Sequence, residues 1–433
     1  MSKARTIVSV ISLGLIISVF TTTIIFWLAG SGSKLASGET ADLLIAVGRL
    51  SGLLLTLLVF AQLLLASRLP LQDWFKSFNA LRIHRFLGFF ILGVLTTHVG
   101  LLVYGYSLRE EVGLLQQAST FITSWDDIIT ALIAAIVIMI IGIISMRKIR
   151  SLLTYEVWYA LHLFLYGAIL FAISHQISTG DMSSGAAKTF WITLTITVFT
   201  VFFIFRVARP ALFFFGHKFR VALVVPESKT SASIYIKGEC MEKFRFEPGQ
   251  YAHFTFLQKG LSTHHPFSFS QPYNGSQIRI TVKQLGDFTS QIQNLNVGTR
   301  VIIDGPMGHL TLSLAQTKKY CFIAGGVGIT PLAALARSLT EPEKSVMLVA
   351  NKSSDDAPLL SEIEATGIKL HRYFSNENPP QRIDASEIQR VCPDVTQRDV
   401  YLCGPEAMVQ NILKGLRAIG VPEAQLHSEA FSY

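Results

Sequence analysis

The stretch HRFLGFFILGVLTTH, residues 84–98, has the composition of a membrane-helix interior but carries a histidine at each end. Ionisable rings at the margins of an apolar span are expensive to place, so they need an explanation from the rest of the chain. The 433 residues are 50% hydrophobic and 15% charged, with a mean hydropathy of +0.44, which is more apolar than one soluble domain would be. That apolar character is uneven. Long runs of Leu, Ile, Val and Phe stop near Phe215, and beyond it charged residues and short alternating segments take over.

Before that point the sequence predicts six apolar spans, at about 7–28, 42–66, 83–105, 127–146, 154–175 and 189–208. Each is near the ~20 residues needed to cross ~30 Å of hydrocarbon. The first is longer than a signal-peptide core and has no A-x-A-like cleavage site, so it reads as a span. Lys3, Arg5, Arg68, Lys76, Arg82, Arg85, Arg147, Lys148, Arg150, Arg206 and Arg209 fall on one side if the N-terminus is cytoplasmic. Only Lys34, Arg109 and Lys188 fall on the other, so the positive-inside bias predicts both termini and the soluble half in the cytoplasm. The net charge of +8 is then mostly a topology signal, and no basic motif points to nucleic acid. Cys240, Cys321, Cys392 and Cys403 all lie in the soluble half, where a cytosolic setting keeps thiols reduced; no CxxC metal site is available.

The membrane half holds four histidines, His84 and His98 on the third span, His162 and His175 on the fifth. Spacings of 14 and 13 residues separate each pair by about 20 Å along a helix, as two stacked sites would require. At ~100° per residue, His84 and His98 share a face, whereas His162 and His175 stand roughly 140° apart, so the fifth helix is expected to contain a π-bulge or bend. A lone membrane histidine is commonly satisfied by its neighbours. Two on each of two helices, at matching heights, point instead to two sites with an imidazole from either side. Two histidines under-coordinate a bare metal ion, whereas a porphyrin supplies four nitrogens and leaves two axial positions, so bis-histidine haem is the natural occupant. Without C-x-x-C-H it would be non-covalent, b-type haem. Proton relays also use membrane histidines, which keeps transport open. Arg49, in VGRLSG in the outer half of the second span, either snorkels or pairs with a haem propionate or a reduced acceptor.

In the second half FRVALVV, SASIYIKG, QYAHFTF, IRITVKQL and TRVIIDG read as short strands between Gly, Pro and Asn turns, which predicts a small antiparallel barrel. After residue 315 the pattern becomes strand, glycine turn, helix, as in KKYCFIAGGVGITPLAALARSL, and predicts a parallel doubly wound sheet. In AGGVGITP, Gly325, Gly326 and Gly328 would let a pyrophosphate approach the backbone at a helix start, with Thr330 adding a hydroxyl and Pro331 following it. The motif is not G-x-G-x-x-G; HHPFSFS upstream and CGP downstream raise its weight.

Together these residues resemble the ferric reductase and NADPH oxidase membrane proteins, over nearly the whole chain. The family is similar in its six spans, its paired histidines with 14- and 13-residue spacing, and its ferredoxin-reductase-like cytosolic module. The resemblance implies a membrane all-α six-helix haem domain at 1–214, a FAD-binding antiparallel β-barrel at 215–313 and an α/β doubly wound NAD(P)H-binding domain at 314–433. It implies that His84 and His162 hold an inner haem, and His98 and His175 an outer one. The family's H-P-F-[ST]-x-[ST] flavin motif is matched by His265, Pro266, Phe267, Ser268, Phe269 and Ser270, with Phe267 against the isoalloxazine and Ser268 near its reactive edge. KQLGDFTS resembles the segment that holds the FAD pyrophosphate, with Lys283, Gly286, Thr289 and Ser290 in those positions; the family often has arginine where Lys283 stands. DGPMG, 304–308, resembles the junction of flavin and nicotinamide domains. Cys403, Gly404 and Pro405 would lie beside the nicotinamide, and Phe431, with Tyr433 as rival, would cover the second flavin face. Lys352 and Ser353 follow a strand where a 2′-phosphate would sit, favouring NADPH over NADH.

Electron counting gives the expected activity. A nicotinamide delivers two electrons as hydride and a haem accepts one, so FAD would convert between them. No side chain need act as acid, base or nucleophile; Arg49, Cys403 and Phe431 are the residues expected nearest the reacting groups. Molecular oxygen, giving superoxide, is the expected acceptor, because Arg49 would stabilise the nascent anion and the outer loops are too short for a large chelate site. A ferric or cupric chelate is second. An extracytoplasmic protein docking within 106–126 is third, and a transporter with a nucleotide-regulated domain is a different class. No EF-hand or SH3-ligand segment is present, so constitutive activity in a bacterial cytoplasmic membrane is expected.

Overall fold

The computed structural model describes residues 3–67, 69, 80–125, 127–377 and 382–431. Arg68, Lys76 and Tyr433, singled out above, lie outside them. The chain divides into two compact units, Met1–Ala208 and Arg209–Tyr433.

The first unit is all helix: α1 (Lys3–Ala36), α2 (Thr40–Ala66), α3 (Ala80–Arg109), α4 (Leu114–Ser124), α5 (Ile128–Ile144), α6 (Tyr155–Ser178) and α7 (Gly185–Phe203). Unbroken apolar runs give helices that are hydrophobic on every side, as a lipid-facing helix must be. Phe86, Phe89 and Phe164 are accordingly about two-thirds exposed. Among the described residues five helices are long and apolar enough to cross a membrane. The predicted fourth span is α5, which is shorter and forms a pair with α4 bent by 116° that would count as a sixth. The segment 106–126 thus contains a helix that the sequence reading leaves as a docking loop. Thr154 caps α6, its hydroxyl accepting from Val157 N at 3.4 Å.

A second difference concerns α6, which is continuous α-helix with no π turn. The π turn lies instead at Ile204–Ala208, after α7.

The second unit opens with α8 (Arg209–His217), followed by β1 (Arg220–Ser228), β2 (Ser231–Lys237), β3 (Tyr251–Phe256), β4 (His265–Ser268), β5 (Ile278–Lys283), α9 (Asp287–Ser290) and β6 (Val301–Met307). The strands form two antiparallel three-stranded sheets, β1-β2-β5 and β4-β3-β6, linked by isolated bridges Arg220–Arg300 and Phe269–Ile280. In β3 alternate residues Ala252, Phe254 and Phe256 point into a core shared with Ile234, Ile280 and Phe269. Next come β7 (Tyr320–Gly325), α10 (Ile329–Ala336), β8 (Val346–Asn351), α11 (Leu360–Glu364), β9 (Lys369–Phe374), α12 (Ala385–Val391), β10 (Asp399–Pro405), α13 (Glu406–Ala418) and β11 (Leu426–Phe431). Their sheet is parallel throughout, in the order β11-β10-β7-β8-β9. Strand β11, at the edge, is the one that the sequence reading does not identify.

Candidate functional site

The four histidines come together in two pairs between α3 and α6. His84 and His162 have ring centres 6.3 Å apart, with planes at 57°. Two imidazoles holding one metal ion at nitrogen distances of about 2.0 Å stand with ring centres roughly 6 Å apart. His175 lies close enough to His98 for the rings to interact electrostatically. His98 Nδ1 is 2.7 Å from the Gly48 carbonyl oxygen, so its N–H donates there and Nε2 keeps its lone pair. Nδ1 of His84, of His162 and of His175 is buried with no hydrogen-bond partner among the described residues. Unpaired buried nitrogens are rare enough to need a reason, and a site built around a ligand supplies one. Among the described residues no group of three or more His, Cys, Asp or Glu could hold a metal ion. Each site thus offers two imidazoles, which complete an iron already held by a porphyrin but not a bare ion; the residues fit a b-type haem at both levels.

Room for the outer ring comes from α2. A Cβ at Gly52 would stand 2.4 Å from His98 Cε1, so only glycine fits there. Gly48 and Gly52 are four residues apart on one helix face, flanking Arg49 in VGRLSG. Arg49 itself is spoken for: Nη1 donates to Asp181 Oδ1 at 3.1 Å and Nη2 to Tyr106 Oη at 2.9 Å. The Asp181 side chain is 1% exposed and also accepts from Ser31 Oγ at 3.0 and 2.9 Å. Neither Asp181 nor Tyr106 was identified from sequence; an acid set between the last two spans was the available signal.

In the second unit, β4 aligns Phe267 opposite Ala252 and Ser268 opposite Tyr251. Pro266 is exposed, Phe267 half-buried and Ser268 buried. Phe288, from α9, lies with its ring centre 3.9 Å from His265 and 6.3 Å from Phe267, adding an aromatic missed from sequence. Ser270 is fully buried and accepts from Arg279 Nε at 3.1 Å and from Thr281 Oγ1 at 2.8 Å, so its hydroxyl serves an internal network. At the start of α9 Thr289 Oγ1 accepts from the N–H groups of Leu285 and Gly286 at 2.8 and 3.0 Å, while Ser290 Oγ donates to Asp287 O. A Cβ at Gly286 would meet nothing, leaving an open face beside the turn. Lys283, expected at the pyrophosphate, donates to Asp356 Oδ2 at 2.5 Å and to Asn351 Oδ1 at 3.3 Å. A phosphate there would compete with Asp356 for the ammonium. The open turn and the aromatic ledge of His265, Phe267 and Phe288 fit a flavin nucleotide.

The nicotinamide side is built by glycines at the sheet's carboxyl edge. Gly326 has φ of +55°, which favours glycine, and its Cβ position is open. A Cβ at Gly328 would stand 2.2 Å from Cys403 O, and one at Gly404 3.1 Å from Gly325 Cα, so the turn after β7 packs directly on the end of β10. Thr330 is buried and donates to Val327 O at 3.0 Å, so its hydroxyl is already used; Pro331 is buried within α10. Cys403 is fully buried, and Phe431 packs on the same core at the register position of Pro405. Burial, and then the charge of Glu429, push the Cys403 thiol well up. Glu429, the register partner of Cys403, has an enclosed Oε2 with no partner, and burial pushes its carboxyl up to about 7. Lys352 is exposed and Ser353 half-buried at the end of β8. The parallel sheet, its glycine turn and the carboxyl-edge location fit a dinucleotide.

Residues 48–173 match the ferric reductase like transmembrane component, 218–311 an FAD-binding domain and 322–414 an oxidoreductase NAD-binding domain. A flavohemoprotein of Burkholderia sp. strain TH2 is 28% identical over 233 residues, 49% of this chain and 58% of that protein. The reductase component of propane 2-monooxygenase from Mycolicibacterium smegmatis is also 28% identical, over 49% of this chain and 67% of its own. The chain thus spans little more than half the length of that flavohemoprotein. Among solved structures, the FAD/NAD-binding domain of nitric oxide dioxygenase from Vibrio cholerae is 24% identical, covers 50% of this chain and 98% of its own, and superposes with a TM-score of 0.44. The chain joins a ferric reductase-like transmembrane region to an FAD-binding domain and an oxidoreductase NAD-binding domain. Its three matched regions, in this order, are the architecture of the NADPH oxidase and ferric reductase family.

Proposed function

We propose that this protein carries electrons from cytosolic NADPH across a bacterial cytoplasmic membrane, through FAD and two b-type haems, to molecular oxygen on the outer side. One NADPH then yields NADP⁺, a proton and two superoxide anions from two oxygen molecules. The observation that carries the reading is the 6.3 Å spacing of His84 and His162, with His98 and His175 following on the same two helices. FAD, when bound, converts a hydride into single electrons. The chain's own residues hold and shield. His84, His98, His162 and His175 hold the haems; Phe267, Phe288 and Ser268 bed the flavin ring, with Lys283 and the turn at Gly286 towards its phosphates. Gly325, Gly326, Gly328 and Gly404 leave room for the dinucleotide, and Phe431 keeps water from the flavin face until nicotinamide enters. Lys352 and Ser353 receive a 2′-phosphate, which favours NADPH over NADH. The α4–α5 pair supplies the sixth span, and both termini lie in the cytoplasm.

The test is NADPH-driven cytochrome c reduction by the haem-loaded, FAD-supplemented protein in detergent, with and without superoxide dismutase. Suppression by the dismutase is expected. Undiminished reduction would show that electrons leave directly to a metal chelate or a partner protein instead. Activity that stays negligible until a partner is added would overturn constitutive turnover.

A further inference from the structure

Arg49 sits in the first unit's most heavily built polar cluster. Asp181 reaches it from the segment after α6 and is fixed in turn by Ser31 of α1. Gly30 makes this approach possible, because a Cβ there would stand 2.5 Å from Asp181 Oδ1. Tyr106 of α3 takes the other guanidinium nitrogen and is covered edge-on by Phe121 and Trp125, with ring centres 5.3 and 5.2 Å away. Four segments therefore converge on one guanidinium, whose charge is balanced by a carboxylate 1% exposed. A largely buried ion pair with both terminal nitrogens engaged is a fixed, net-neutral object, not a free cation.

We propose that Asp181 is the positioning residue of the outer end: it holds and neutralises Arg49 beneath Tyr106, so that this end receives a small uncharged acceptor and turns away anionic metal chelates. The proposal rests on outward electron delivery as read above and deepens it, by naming what sets acceptor choice. A lone guanidinium would draw anions, ferric chelates included, into an electropositive focus. Paired with Asp181, it offers them no such attraction. Its remaining N–H groups would still be at hand for a nascent superoxide charge. The aromatic cover of Phe121 and Trp125 limits size at the same point.

The experiment compares wild type with Asp181→Asn, both haem-loaded and FAD-supplemented, using oxygen and ferric–EDTA as acceptors. Flavin-side reduction is subtracted with His98→Leu. In Asp181→Asn, kcat/KM for ferric–EDTA is expected to rise about fivefold relative to oxygen at low salt, and the gain to shrink as ionic strength rises. Spectroelectrochemical titration is expected to show the outer haem's reduction potential moved upward, because an uncompensated cation now lies near it. Equal change for both acceptors with an unmoved potential would overturn the proposal. Should Asp181→Asn lose its haem, Asp181→Asn combined with Arg49→Gln takes its place. A potential close to wild type is then expected, whereas a marked fall would show that Asp181 does not balance Arg49. Wild type lacking dismutase-sensitive activity would refute oxygen as acceptor, while the potential shift would still report on Asp181.

Discussion

The imidazole of His98 fills the space that a side chain on Gly52 would occupy: a Cβ there would stand 2.4 Å from its Cε1. Gly48, one turn earlier on the same helix, accepts the His98 Nδ1–H at 2.7 Å. One face of α2 therefore seats and orients the His98 ring borne by α3. Gly52→Ala is expected to displace that ring while leaving His84 and His162 as they are. Haem content should fall by about half, since disturbing a ligand's support costs roughly 10–100-fold in affinity. A pyridine haemochrome assay together with the split of the reduced α-band reads the result. Unchanged content would show that His98 is not a ligand.

Lys352 is the residue proposed above to set the cofactor preference. It is exposed just after β8 and, among the described residues, makes no hydrogen bond of the kind that ties Lys283 to Asp356, although it feels the Asp356 charge. Lys352→Ala should raise KM for NADPH about tenfold, the loss of one charge-assisted phosphate contact, and leave KM for NADH nearly unchanged. Parallel steady-state kinetics with the two nucleotides decide it; equal effects on both would place the 2′-phosphate elsewhere.

Asp399 fastens the segment joining the two reductase domains. Fully buried, it accepts from Gln316 N, Thr317 N, Thr317 Oγ1 and His427 Nε2 at 2.6–3.0 Å. Burial works against its charge, but the His427 ring and the Gln316 and Thr317 donors prevail and hold its carboxyl below the usual range. A depressed acid contributes stability above its unfolded pKa of about 3.9 and loses it as pH falls through the folded value. Asp399→Asn should cost about 3 kcal/mol at neutral pH and flatten the acid limb of the melting curve. Thermal unfolding of the full chain in detergent, at neutral and acid pH, measures both.

Glu429 has the opposite sign. Burial raises its carboxyl to about 7, so the folded protein holds a proton that the unfolded chain has released. The contribution is fully present below the ordinary carboxyl range and is lost as pH rises through about 7. Glu429→Gln should therefore lose less Tm than wild type between about pH 5 and pH 8. Melting curves across that range check it. Identical slopes would mean that Glu429 ionises as an ordinary surface acid.

Sequence made the periodic and the local features legible. Apolar runs located the membrane helices, and strand-turn-glycine patterns located the flavin and nicotinamide segments, because these signals arise within a few residues. Helix arithmetic set His84 and His98 on one face but left His162 and His175 apart, and the cross-helix pairing came from the family likeness; the expected π turn is absent, and the ring of His98 is steered by Gly48 and Gly52. Partner choice was not legible. Asp181 lies 132 residues from Arg49, and Asp356 lies 73 from Lys283, and no local pattern links either pair. Strand β11 was missed for a related reason: its edge position alternates exposed and half-buried residues, and only pairing with β10 defines it.

Arg279, 2% exposed on β5, sends a two-pronged fork to Glu362 of α11 at 2.5 and 2.9 Å, and Arg337 meets the same carboxylate at 2.6 Å. The flavin and nicotinamide domains are thereby keyed to each other like lock and bitting. A chimaera that borrows either domain from a relative must bring the matching arginine or glutamate with it. Without that glutamate, Arg279 is left as a charge that water scarcely reaches.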